Sequence, residues 1–550
     1  MPYTSNPVSA LRTLHQNCRR SKTVMNALIN STDPNEYDLI CITEPYIYPN
    51  HRLTIATQKW VVFYAGGTAR PRSLILVNKN IKSDTYRQIE VESRNATSIL
   101  FKFSTTSSLQ IYSIYNQPDS DETYDELSRH LFLNPPDHPM LWHGDFNKHD
   151  ALWAGTNLPS SIPADEAMAL LKLLADYDLE LALPPGTLTH ESAAHKTWNT
   201  LDLVFISANI ADSIICCDAL PDQRLPGADH LPILTTLDFD LLRIPEIPRL
   251  NFRAVDWDEF NKALTDSLTN NPITTDINST DEYDLAYLTL DKTLQTTIAS
   301  HVPRLSFSPY AKRWWTKELT ILLGKTRKLE RENRKRPCPE AEIAAQEAVK
   351  LFKTTLESTK MQHWKDWLEH ADEKSVWLAS RYANRPFSDG SAERIPALKR
   401  ADGTLATDAQ EKCDILFETF FPAAPDSNSL DIPADFEYPD PVPMPEFTRE
   451  MYDEVIRDAK SYTAPGTDGI PFIVLQKAYH IIGDILWALF QATVRLKYET
   501  PLLKELFTAV LRKPGRSDYS VAKSFRPIAL YRTIKKSFCG MYSKSLAYVT

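Results

Sequence analysis

The amino-acid sequence predicts an α/β protein with an α/β sandwich at its N-terminus, a mainly α-helical middle region and an α+β module at its C-terminus. Three observations carry this. Residues 1–240 alternate short β-rich apolar runs with segments of helical spacing. Beyond residue 240 the strand pattern gives way to helices. A stretch rich in proline and acid at 422–445 then sets off the remainder of the chain.

Tyr37 to Thr43 is a short apolar run that ends at Glu44-Pro45, the pattern of a buried strand whose last residue reaches a site edge. Ser73 to Val77, Leu109 to Tyr115, Pro139 to Trp142 and Leu201 to Ile206 are similar runs. Between them, Asp165 to Leu183 carries Ala169, Leu170, Leu173 and Leu174 at helical spacing, and Pro184-Pro185-Gly186 closes it. Short strands of mixed pattern interleaved with helices favour a sandwich over a doubly wound sheet. Pro245 and Pro248 mark a boundary, so the expected domains are 1–240, a mostly helical connector 241–421, an extended linker 422–446 and a last module 447–550. Inside the connector, residues 311–336 hold ten Lys/Arg against three Glu, with Trp314-Trp315 among them. Such a segment either lies along a nucleic-acid backbone or is a solvated helical face with Glu partners. The tryptophans, with Trp364, Trp367 and Trp377, suit helix packing better than base stacking.

At 550 residues two to four domains are expected. No unbroken apolar run approaches the roughly 18 residues of a spanning helix, and Met1 to Arg20 lacks the apolar core of a signal peptide. Seven cysteines without a CxxC pair argue against a disulfide framework and a zinc knuckle. The expectation is a reduced intracellular protein, nuclear or cytoplasmic, not secreted and without a membrane partner. A net charge of −10 does not itself advertise nucleic-acid binding, so local charge must carry that argument.

The chemistry concentrates in His143-Gly144-Asp145-Phe146-Asn147 and Gly227-Ala228-Asp229-His230. Asp145 and Asn147, two apart on a strand, would share one face. Phosphodiester cleavage needs an activated water, stabilised phosphoryl charge and help for the leaving oxygen, and a divalent ion supplies the second. Magnesium takes hard oxygen ligands and keeps several waters, so Glu44 and Asp229 suffice as its protein ligands, with Mn2+ as the substitute ion. Asp145 could orient or deprotonate the water, and Asn147 and Asn17 could hold phosphate oxygens. His230 could serve as acid–base or charge stabiliser, with Asp202 fixing its tautomer and raising its basicity.

Taken singly, each motif is also a common turn or strand end. Their order is not common. Asn17 in His15-Gln16-Asn17, Glu44 in Thr43-Glu44-Pro45, Tyr115-Asn116, Gly144-Asp145-Phe146-Asn147, Thr200-Leu201-Asp202 and Asp229-His230-Leu231-Pro232 follow one another as in a known family. Residues 17–232 resemble the endonuclease/exonuclease/phosphatase superfamily, and more closely the endonuclease domain of non-LTR retrotransposon polyproteins. The resemblance implies a four-layer sandwich of two packed β-sheets flanked by helices. It implies that Glu44 binds the metal with Asp229 near it, and that Asp145 positions the water beside Asn147. It further implies that Tyr115 contacts phosphate, Asn17 and Asn116 position it, and Asp202 pairs with His230. Ala228 departs from the pattern where Ser usually precedes Asp-His, and Arg19 stands where some relatives carry an acid.

The C-terminal module extends the resemblance. Ala464-Pro465-Gly466-Thr467-Asp468-Gly469, Leu511-Arg512-Lys513-Pro514-Gly515 and Phe525-Arg526-Pro527 look like the opening finger motifs of a retrotransposon reverse transcriptase. That places Lys513 and Arg526 near a nucleotide triphosphate, as a vestigial site. Two-metal polymerisation needs palm aspartates, yet the sequence has no Asp-Asp pair and no Asp after Asp518, so no polymerase activity is expected of this chain. The expected function is a Mg2+-dependent endonuclease nicking target DNA, with element RNA as a further partner. Two other readings stand beside it. One is a phosphatase or phosphodiesterase of the same fold on a non-DNA substrate; the other is an inactive relic that at most binds nucleic acid.

Overall fold

A computed structural model describes residues 10–48, 59–64, 70–104, 107–155, 162–163, 165–192, 197–243, 249–305, 314–370, 395–406, 408–422, 446–513, 516 and 518–549. The chain opens with β1 (Leu11–Asn17), α1 (Lys22–Ser31), β2 (Leu39–Thr43), β3 (Trp60–Phe63) and β4 (Ser73–Asn78). Next come β5 (Tyr86–Ile89), β6 (Ala96–Lys102), β7 (Ser108–Tyr115), α2 (Glu122–Leu133) and β8 (Met140–Asp145). The short α3 (Ala151–Ala154), α4 (Met168–Asp176), β9 (Leu179–Leu181), β10 (His190–Glu191) and β11 (Trp198–Asn199) lead to β12 (Asp202–Ser207), β13 (Ile214–Ala219) and β14 (Ile233–Leu237).

These strands form two mixed six-stranded sheets, ordered β13-β14-β1-β2-β4-β3 and β5-β6-β7-β8-β12-β9. Leu39, Cys41, Ile75 and Val77 of the first sheet bury against Ile99, Phe101, Ile111 and Leu141 of the second. On the outer face of the first sheet, Val24, Leu28 and Ile29 of α1 cover Leu14, Ile40 and Ile42. Tyr124 and Leu127 of α2 and Leu170 and Leu173 of α4 cover Tyr112, Trp142 and Phe205 of the second. The result is the expected four-layer sandwich.

Two boundaries differ from expectation, each for a local reason. The helix expected to run to Leu183 stops at Asp176, because Asp178 adopts a left-handed φ of 51° and Leu179–Leu181 then pairs with β12. β8 continues past Trp142 to Asp145, since β7 and β12 hydrogen-bond it on both sides. Gly144 permits this: a Cβ there would lie 2.3 Å from the Ile114 carbonyl oxygen.

The stretch 241–421, expected as one helical connector, divides between two compact units. An amphipathic helix must bury its apolar stripe, but its sequence does not say against what. α5 (Trp257–Asn270) and α6 (Thr280–His301) belong to the second unit, whereas α7 (Lys317–Lys335) and α8 (Pro339–Glu369) belong to the first. Trp315, Leu319 and Leu323 at the start of α7, with Phe352 and Leu356 of α8, join the core around α1. Trp314 and Trp315 thus pack as expected, while Trp364 is exposed and stacks on Trp367 at 5.2 Å. Lys312, Arg313, Trp377, Pro245, Pro248 and linker residues 423–445 lie outside the described residues.

The second unit continues with β15 (Leu398–Lys399), β16 (Leu405–Ala406), α9 (Ala409–Phe420), α10 (Arg449–Asp458), α11 (Phe472–Leu496), α12 (Pro501–Lys504), β17 (Leu506–Arg512), β18 (Phe525–Tyr531) and α13 (Thr533–Val549). Phe260 of α5, Tyr283 and Tyr287 of α6, Tyr452 of α10, Leu486 and Phe490 of α11, and Phe538 of α13 share one core. Residues 447–550 are therefore built around helices that precede the linker. α11 is long and apolar enough by length and composition to cross a membrane, although its apolar residues form no unbroken run. Here it is largely buried as the central helix of this unit.

Candidate active site

The site forms where the central strands of both sheets end on one edge. β1 and β2 run parallel, with Asn17 beside Thr43, and Glu44 follows at a left-handed φ of 45°. β7 and β8 also run parallel and set Tyr115 beside Asp145, while antiparallel β12 sets Asp202 on the other side of Asp145.

Side chains two apart on a strand face the same way, and on β1 this brings Thr13, His15 and Asn17 onto the second sheet. Thr13 Oγ1 meets His143 Nε2 at 2.9 Å, His15 Nε2 meets Asp202 Oδ1 at 3.0 Å, and Asn17 Nδ2 donates to Asp145 Oδ2 at 2.7 Å. All six residues are buried. A polar seam therefore crosses the gap between the sheets and ends at Asp145.

Asp202 sits at the centre of this seam. Its second oxygen meets His230 Nδ1 at 2.7 Å, and its backbone N–H donates to Thr189 Oγ1 at 3.0 Å. Burial pushes the Asp202 carboxyl up, but His230 and His15 more than offset this and hold it well below the carboxylate range. Burial likewise opposes charge on His230, yet Asp202 prevails and raises the imidazole to about 9. With Nδ1 on Asp202, the His230 Nε2 is left facing Asp229, whose Oδ1 is 4.0 Å away. Burial, with Asp202 and Glu44 adding to it, raises the Asp145 carboxyl against the pull of His230 and Asn17. The ring of His190 lies 4.6 Å from that of His230 and is pushed down to about 4 by burial and then by His230.

Arginines line the rim. Arg20 donates from Nε and Nη2 to Glu44 Oε1 at 3.0 and 2.8 Å, and Arg19 Nε lies 3.1 Å from Asp229 Oδ2. Arg72 stacks over Tyr115 at 5.2 Å, and burial followed by the Glu44 charge raises the phenol. Asn147, at a left-handed φ of 48°, donates to the Asn116 carbonyl at 2.9 Å. The amides of Asn17 and Asn116, both expected to position phosphate, each donate within the protein. Asn17 donates to Asp145, and Asn116 to the Ser120 carbonyl at 2.8 Å.

Sequence reasoning did not single out His15, His143, His190, Arg20 or Arg72. No sequence signal marks the first, because β1 is polar at Arg12, Thr13, His15, Gln16 and Asn17 alike and shows no two-residue alternation. Far along the chain, Lys513 donates to the Lys523 carbonyl at 2.9 Å, and Arg526 is exposed on β18 opposite Leu511.

The acidic set suits a hard cation. Asp145 Oδ1 and Asp229 Oδ1 are both buried without a hydrogen-bond partner. Among the described residues, ligand atoms lie within 4.8 Å of one another in Asp145, Asp202 and His230, and in His190, Asp229 and His230. Glu44 falls in neither group; its carboxylate is paired with Arg20.

The first unit resembles the endonuclease/exonuclease/phosphatase superfamily. Residues 109–234 match the family model described as endonuclease-reverse transcriptase. The chain resembles non-LTR retrotransposon polyproteins, and its curated relatives are named as transposon products. It is 24% identical over 342 residues to the probable RNA-directed DNA polymerase from transposon X-element of Drosophila melanogaster, covering 57% of this chain and 35% of that protein. It is also 24% identical over 332 residues to the corresponding protein from transposon BS of the same organism, covering 56% and 35%. The matched stretch thus spans about a third of these relatives' length. Among solved structures, the endonuclease domain of TRAS1, a telomere-specific non-LTR retrotransposon, superposes with a TM-score of 0.34 at 16% identity, covering 41% of this chain and 98% of that one. An AP endonuclease from Leishmania major gives 0.33 at 12% identity, covering 44% and 90%.

Proposed function

We propose that the first unit is a divalent-metal-dependent endonuclease that nicks DNA, with Mg2+ as its ion and Mn2+ as a substitute. The observation that carries this reading is the seam from β1 to the second sheet, which ends in a charged His230 beside an Asp145 with one buried oxygen free. Glu44 and Asp229 would hold the ion, which supplies charge neutralisation at the phosphoryl oxygens when bound. Asp145, with its carboxyl raised by burial, accepts the proton of the attacking water, and Asn17 fixes its orientation. His230, kept cationic by Asp202, presents Nε2 to the phosphoryl group as it gains charge. Tyr115 and Arg72 flank the phosphate, and Asn147 locks the turn that follows Asp145. For the second unit, Lys513 and Arg526 are proposed as a remnant triphosphate contact.

A supercoiled-plasmid assay with Mg2+ tests the reading on the full chain, comparing wild type with Glu44→Ala and His230→Ala. Nicking by the wild type and its loss in both variants is the expected result. Intact plasmid together with RNA binding would favour the inactive relic. Phosphate release from inositol phosphates without nicking would favour a non-DNA substrate.

A further inference from the structure

The 311–336 segment is rich in positive charge, but α7 directs Arg327, Arg331 and Arg334 at the protein itself. Three turns of α7 grip the loop Pro221–Gly227, which leads directly into Asp229-His230. Arg334 Nη1 donates to the Pro221 carbonyl at 3.0 Å, and both Arg331 and Arg334 lie 3.7 Å from Asp222. One turn earlier, Arg327 Nε donates to the Arg224 carbonyl at 3.3 Å and Nη2 to Ser31 Oγ on α1 at 3.2 Å. Between them, Glu330 Oε1 accepts the backbone N–H of Gly227 at 3.3 Å. Beneath these contacts, Leu225 and Ala228 bury in the same core as Leu319 and Leu323 of α7.

The loop passes this restraint on to the site. Arg224 Nε donates to the Ala228 carbonyl at 2.7 Å, and its Nη1 pairs with Glu191 at 2.6 Å. The backbone N–H of Glu191 in turn donates to the Asp229 carbonyl at 2.8 Å. Gly227 sits at a φ of 75°, a left-handed conformation open to glycine, and its N–H finds its acceptor in Glu330.

Glu330 is the unusual member. Its other oxygen, Oε2, is buried without a partner, and burial, only partly countered by Arg224 and Arg327, raises the acid to about 7. A buried half-satisfied carboxyl destabilises a helix-packing surface that an apolar residue would serve better. Holding Gly227 accounts for its presence.

We infer that α7 is a brace for the catalytic loop and that Glu330 is a positioning residue for Asp229 and His230. The catalytic part of this inference rests on the nuclease reading; the brace itself does not. Segment 314–369 is then a working part of the nuclease rather than a spacer behind it.

The test uses the full chain with Glu330→Ala and Glu330→Gln, the second of which keeps an oxygen acceptor at the same place. Amide hydrogen exchange read by mass spectrometry over 220–230 should quicken about tenfold or more in Glu330→Ala and stay near wild type in Glu330→Gln. Nicking should fall roughly 10- to 100-fold in kcat for Glu330→Ala, with KM little changed and recovery in Glu330→Gln, as for a misplaced catalytic group. Unchanged exchange in Glu330→Ala overturns the brace. Quickened exchange in Glu330→Ala, together with a wild type that never nicks, upholds the brace and removes the nuclease reading instead.

Discussion

Replacing Asp202 with Asn probes the electrostatic centre of the site with little change in shape. In the native site Asp202 raises His230 from the free imidazole range to about 9, a preference for the charged ring on the order of 3 kcal/mol. That preference already overcomes a burial effect of opposite sign. Without the carboxylate the burial effect persists and only Asp145 and Asp229 still oppose it, so the His230 pKa should fall back to about the 6.5 of a free imidazole. At pH 7.5 the charged fraction then falls from nearly all to about a tenth or less, which lowers nicking at least about tenfold through charge alone. An amide also presents a donor to one of the two imidazoles it faces, which should deepen the loss. The assay pairs plasmid nicking at pH 7.5 with NMR titration of the histidine ring carbons in metal-free protein, and a thermal melt checks folding. A His230 resonance still titrating near 9 in Asp202→Asn, or nicking at the wild-type rate, refutes the reasoning.

Asn17→Ala removes the hydrogen bond to Asp145 Oδ2 and leaves that buried carboxyl without side-chain support. Unfolding should become easier by about 1–3 kcal/mol, read by urea denaturation, with nicking reduced in parallel. Arg20→Ala removes the resident cation from Glu44, an ion pair whose arginine is 60% exposed. Mn2+ should bind up to about fivefold more tightly by electron paramagnetic resonance, the scale of an exposed ion pair; weaker binding would refute the competition. His143, buried and pushed down to about 3 first by burial and then by His15, is neutral in the folded chain. A depressed histidine favours folding above its unfolded pKa of about 6.5, and that stability is lost as pH falls from there toward 3. The denaturation midpoint of the wild type should therefore fall more steeply between pH 7 and 4.5 than that of His143→Gln.

Legibility in the sequence followed direction. Glu44, Asp145 and Asp229-His230 were readable because they close strands or loops at one edge, where a motif and its place in the fold coincide. Thr13, His15 and His143 were not, because a buried polar residue on a strand declares itself only when the opposing strand is known. Asn17 and Asn116 were recognised as site residues, yet nothing in the chain told that their amides point inward to Asp145 and Ser120. The charge of 311–336 was plain and its orientation was not. Arg327, Glu330 and Arg334 recur at turn spacing, and only the docked helix reveals that they face the 221–228 loop. The same gap hid the division of 241–421, since α5–α6 and α7–α8 carry similar amphipathic stripes.

The order of segments along the chain has a consequence for synthesis. Residues 247–307 of the second unit lie between the sandwich and its own helices α7 and α8. About 80 residues separate Leu237 from Lys317, so a ribosome moving at roughly 5–20 residues per second needs some 4–16 s to deliver α7 after the last strand is made. During that interval Leu225, Ala228 and the outer side of α1 stand open on a nascent chain, which makes them the natural place for a chaperone to act. The second unit meets the same delay in reverse, because α5 and α6 emerge long before α10, α11 and α13 complete their core. Each unit must wait for a piece of itself made after a piece of the other.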